Sequence, residues 1–92
     1  MKVALAQLNT TVGDLVGNEA RILAAYRRGV AAGVDLVVCP ELATTGYPPR
    51  DLLLKPHFVA QSLALLERLA GATGKVGLLV GFFVAMGSDF AI

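Results

Sequence analysis

Three short aliphatic runs constrain the fold of this chain: KVALAQLN at residues 2–9, VDLVVC at 34–39 and GLLVGFFV at 77–84. Each is bounded by turn-formers and reads as a strand buried on at least one face. Between them, apolar residues recur at helical spacing. The resulting order, strand, helix, strand, loop, helix, strand, predicts an α/β protein with helices stacked on a sheet. There is no internal repeat or low-complexity tract.

The connecting segments fill in this plan. TTVGDLVGN, residues 10–18, carries two glycines, an aspartate and an asparagine and predicts a loop. Asn18 then caps a helix with Glu19 at its positive end, and Ile22, Leu23, Tyr26 and Val30 form an apolar stripe up to a terminating Gly33. Arg21, Arg27 and Arg28 fall on its wet side. Pro40 stops the second run and leaves Glu41 at a strand's carboxyl end. Gly46 suits a positive φ, and Tyr47-Pro48-Pro49 predicts a rigid, extended loop. Pro56 opens a second helix whose buried face is Phe58, Ser62, Leu65, Leu66 and Leu69 and which fades in GATGK. GSDFAI, residues 87–92, has turn chemistry followed by the start of a fourth strand, cut off.

Composition narrows the function classes. At 55% hydrophobic and 16% charged the chain is globular and apolar for its size. A domain this short buries only about 60 to 65% of its unfolded surface, so such strands call for more chain or a partner to cover them. A net charge of +1, with basic residues scattered apart from Arg27 and Arg28, argues against a nucleic-acid partner. The single cysteine excludes an internal disulfide, and with no Cys/His cluster at ligand spacing it favours a reducing cytoplasm and no metal in this chain. The N-terminal apolar stretch stops at Gln7, too soon for a signal peptide. The run at 76–87 falls short of the roughly 18 to 20 residues needed to span a bilayer, so no membrane partner is expected.

Sites in open α/β sheets gather beyond the carboxyl ends of strands, where Glu41 and Asn9 both fall. A glutamate walled by apolar neighbours can act as a general base; it can equally cap a helix or pair with a cation. Cys39 ends an aliphatic run, where a free thiol usually packs as a small hydrophobe, and Pro40 stiffens the chain between it and Glu41. His57, at a helix start, reads as a solvent contact. Tyr47 either plugs its loop against the core or lines a pocket with its hydroxyl. Lys2, Lys55 and Lys75 are the only lysines, none beside Glu41 in sequence. No Ser/His/Asp arrangement, phosphate-cradling glycine loop or carboxylate pair is apparent.

KVALAQLNTTVGDLVGN, GVDLVVCPELATTGYPPRDLLL and VGLLVGF together resemble the opening of a nitrilase-superfamily carbon–nitrogen hydrolase domain. GYPPRDLLL is most similar to the glutaminase domains of bacterial glutamine-dependent NAD synthetases. The resemblance implies a partial nitrilase-like αββα sandwich, with residues 1–92 as the N-terminal part of one incomplete domain. It implies a Glu, Lys, Cys triad in which Glu41 is the glutamate, while the lysine and cysteine lie on later strands; Cys39 does not match the nucleophile. Tyr47 matches a tyrosine bordering the glutamine pocket. It further implies glutamine as substrate, the remainder of a homo-oligomeric cytoplasmic enzyme as partner, and ATP with magnesium in a separate synthetase domain. The isolated chain is expected to be inactive. Two alternatives stay open: part of a stand-alone amidase of the same superfamily, and a short, non-catalytic module that pairs through its strand edges.

Overall fold

Strands β1 (Val3–Leu5), β2 (Leu36–Val38) and β3 (Gly77–Leu79) form a parallel sheet in the order β1-β2-β3, with Ala4 opposite Val37 and Val37 opposite Leu78. The computed structural model describes residues 1–40, 43–46, 55–81, 84–86 and 89–91, the last two segments as backbone only. Helix α1 (Leu15–Ala31) falls between β1 and β2, and α2 (Pro56–Ala72) between β2 and β3. Both crossovers step the same way across the sheet, so right-handed connections put both helices on one face. The predicted order is therefore observed.

The strands are shorter than the aliphatic runs. β1 ends at Leu5 rather than residue 9, and β2 occupies the middle of 34–39, although ladder bonds continue past the ends, from Ala6 N to Val38 O at 2.8 Å and from Cys39 N to Leu79 O at 2.9 Å. The expected strand at 77–84 is divided. Its first part is β3, and Val84 belongs to β4 (Val84–Met86), which pairs antiparallel with β5 (Asp89–Ala91) as a separate two-stranded sheet. Of GSDFAI, Asp89–Ala91 thus forms a strand, paired with β4.

Helix α1 begins earlier than the sequence suggests. Asp14, not Asn18, is its N-cap, its side chain accepting from Gly17 N at 3.0 Å, so half of the expected loop at 10–18 is helical. The helix stops as expected, with Gly33 at φ 76° just beyond it. On its inner face Ile22 and Tyr26 are buried, but the stripe continues through Gly29, and Val30 is 47% exposed. Gly29 lets the helix approach β2 closely: a β-carbon there would stand 2.5 Å from Val37 Cγ2.

On α2, Phe58, Ser62, Leu65 and Leu69 are buried as the spacing predicts, with Leu66 half-buried. Leu65 and Leu69 meet Ile22 and Ala43 in the core, with Leu8, Leu15, Cys39 and Leu78 packed against them. Outside the core, Arg68 spans both Glu19 oxygens, with Nη2 to Oε1 at 2.8 Å, and these bonds hold its guanidinium still more firmly protonated. Tyr26 ties α1 to the chain entering β3, donating to Val76 O at 2.6 Å and accepting from Gly74 N at 2.9 Å.

Strand alternation sends Ala4, Val37 and Leu78 toward the helices. The flanking rows point the other way, and there Leu5 is 76% and Leu79 58% exposed. That open apolar face is where the high hydrophobic content of the sequence is left uncovered.

Candidate functional site

Parallel strands bring the segments that follow β1 and β2 to the same end of the sheet, the carboxyl end at which α/β sites form. Glu41 and Tyr47, the two candidate site residues, lie outside the described residues, as do Pro48 and Pro49 of the expected rigid loop. The chain between them is described. Ala43, Thr44, Thr45 and Gly46 form a turn with all four residues buried, an unusual condition for a connection between elements. Gly46 has φ 78°, as its identity predicts.

A buried turn needs partners for its backbone groups, and here they come from the segment after β1. Gly13 N donates to Thr45 O at 2.9 Å, and the Asn18 side chain donates through Nδ2 to Thr44 O at 3.1 Å. The same Nδ2 donates to Thr11 O at 2.8 Å, while Oδ1 accepts from Thr11 N at 2.9 Å and from Arg21 Nη1 at 3.2 Å. Asn18 is 0% exposed, and each donor and acceptor position of its amide is filled. Asp14 braces the arrangement from outside, its amide donating to Thr11 O at 3.1 Å and its Oδ2 lying 3.6 Å from Arg21 Nη1. The Thr44 hydroxyl is buried with no hydrogen-bond partner among the described residues.

Sequence reasoning placed Asn18 at a helix end and missed this role. The available signal was the G-D-x-x-G-N run itself, in which Asp14 can cap a helix and leave Asn18 one turn further in, facing the core.

The other reactive residues are not gathered here. Cys39 is half-buried against the Ile22 and Leu65 core, and burial raises its thiol pKa, the opposite of what an activated nucleophile needs. His57 is exposed on the first turn of α2, as expected for a solvent contact, and Asn9 is exposed four residues past β1. Lys2, Lys55 and Lys75 are all exposed. Among the described residues, the carboxyl end of the sheet therefore carries a hydrogen-bonded brace around Asn18 and no activated thiol. No helix among them is long and apolar enough to cross a membrane.

Residues 2–86 match the carbon–nitrogen hydrolase family. The chain is 48% identical over 69 residues to a glutamine-dependent NAD(+) synthetase of Rhodobacter capsulatus, an alignment covering 75% of this chain and 12% of that protein. It is 46% identical over 80 residues to the enzyme of the same description from Synechocystis, covering 86% of this chain and 14% of the relative. Its fold matches the crystal structure of a glutamine-dependent NAD(+) synthetase from Cytophaga hutchinsonii with a TM-score of 0.91 at 23% identity, over 98% of this chain and 16% of that one. The chain thus spans about one-seventh of the length of these proteins.

Proposed function

The chain belongs to the carbon–nitrogen hydrolase family, and from that membership we propose that it is the opening part of the glutamine-hydrolysing domain of a glutamine-dependent NAD(+) synthetase. The observation that carries the reading is the 48% identity to a relative so described. The GYPPRDLLL segment and the apolar sheet face, on which Leu5 and Leu79 await cover, favour it over a complete small module.

In this reading Glu41 is the general base. A cysteine supplied by the rest of the domain loses its thiol proton to the Glu41 carboxylate, and its sulfur attacks the side-chain carboxamide carbon of glutamine. A lysine, also from the rest of the domain, stabilises the tetrahedral oxyanion. Glu41 returns the proton to the nitrogen as the C–N bond breaks, releasing ammonia and leaving a thioester. It then takes a proton from water, which attacks the thioester, and passes that proton to the departing sulfur, giving glutamate, the free thiol and the Glu41 carboxylate again. Tyr47 borders the glutamine pocket. Cys39, held in the core with a raised pKa, serves packing.

The ammonia is used for ATP- and magnesium-dependent amidation of nicotinic acid adenine dinucleotide in the remainder of a cytoplasmic, homo-oligomeric enzyme. No step of that reaction is assigned to this chain. Since the lysine and cysteine of the triad come from the rest of the domain in this reading, residues 1–92 by themselves are expected to release no glutamate from glutamine. Measuring NAD(+) formation by the complete gene product with glutamine and with ammonium as nitrogen donor tests the reading. Both donors are expected to support synthesis, with glutamate released only from glutamine; use of ammonium alone would contradict it.

A further inference from the structure

The brace around Asn18 is more elaborate than helix capping requires. Asp14 already caps α1, yet Asn18 buries a four-bonded amide whose Nδ2 reaches 26 residues along the chain to Thr44 O. Thr44 stands three residues after Glu41 and three before Tyr47. The turn it pins is seated so tightly that a β-carbon on Gly46 would stand 2.7 Å from Val12 N. The chain between the two candidate site residues is thus fastened to the segment after β1 by the Asn18 amide, the Gly13 amide and a glycine contact.

We propose that Asn18 is a positioning residue for glutamine hydrolysis, fixing the Ala43–Gly46 turn that stands between Glu41 and Tyr47 in the sequence. The inference rests on the reading of Glu41 as general base. Asparagine suits the task because its side chain offers two donors and two acceptors at short reach. Aspartate has the same shape but no donor, and would set carboxylate oxygens against the carbonyls of Thr11 and Thr44. Arg21 orients the amide, since its Nη1 donates to Oδ1 and leaves Nδ2 to face the two carbonyls. Supporting groups of this kind typically contribute about 10- to 100-fold to the function of the groups they hold.

The test uses the complete gene product carrying Asn18→Asp. The kcat for glutamine hydrolysis is expected to fall about 10- to 100-fold while ammonium-dependent NAD(+) formation stays within about twofold of wild type, with the variant still fully folded at the assay temperature by circular dichroism, so that loss of the folded domain does not account for the fall. Arg21→Ala, at a half-exposed side chain and so tolerated by the fold, is expected to lower the same kcat roughly threefold. An unchanged kcat in both variants, or equal losses in the glutamine and ammonium reactions, would overturn the proposal. A wild-type protein that releases no glutamate from glutamine would overturn the functional reading, and this inference with it, before any variant is compared.

Discussion

Gly46 rests directly on the backbone of Val12: a β-carbon at Gly46 would lie 2.7 Å from Val12 N and 2.8 Å from Val12 Cα, closer than such atoms approach in proteins. Its φ of 78° adds a second reason for glycine at this position. Two segments well separated in sequence, an exposed one after β1 and a buried turn after β2, are thereby held in direct contact.

Gly46→Ala is accordingly expected to destabilise the protein by about 2 to 4 kcal/mol, combining a left-handed backbone penalty with a clash that only backbone movement relieves. Urea unfolding measures it. A cost below about 0.5 kcal/mol would mean that the two segments are not in contact.

Tyr26 holds the entrance to β3 through both functions of its hydroxyl, donating to Val76 O and accepting from Gly74 N. Tyr26→Phe keeps the ring in the core and leaves these two backbone groups without their partner. A loss of about 1 to 2 kcal/mol is expected, with faster hydrogen exchange at the Gly74 amide. Unchanged exchange at Gly74 would argue against the second bond.

Burial raises the Cys39 pKa, so the folded protein holds the neutral thiol more firmly than the unfolded chain does. Its contribution to stability is fully present below the unfolded thiol pKa of about 8.5 and is lost as pH rises through the higher folded value. Alkylation of Cys39 should therefore be slower in the native protein than in urea at pH 8, and stability should decline on the alkaline side. A native rate equal to that of a free thiol would contradict both the burial and the packing role.

Much of the fold was legible because its signals are local. Pro56 starts α2 as its fixed φ suggests, Gly33 stands just past the end of α1, and the stripe from Phe58 to Leu69 faces the core. What escaped depends on contacts distant in sequence. Asn18 is a good cap by residue type, and the bonds that make it a buried clamp run outside its own helix, to Thr11 and Thr44. Val30 fits the helical stripe, yet Gly29 is the residue that meets Val37, because close helix-to-strand approach rewards a missing side chain. The run at 77–84 reads as one apolar stretch, and its single internal glycine, Gly81, in the gap between β3 and β4, is a weak mark of its division between two sheets. Glu41 and Tyr47 were singled out only by resemblance, through the PEL and GYPP motifs, and lie outside the described residues.

Glutamate release by the complete gene product carrying Glu41→Gln tests whether Glu41 moves the protons of glutamine hydrolysis, as proposed above. The substitution preserves shape and removes the base, so kcat should fall by about 10³-fold or more while ammonium-dependent synthesis persists. Glutaminase activity within tenfold of wild type would contradict the account.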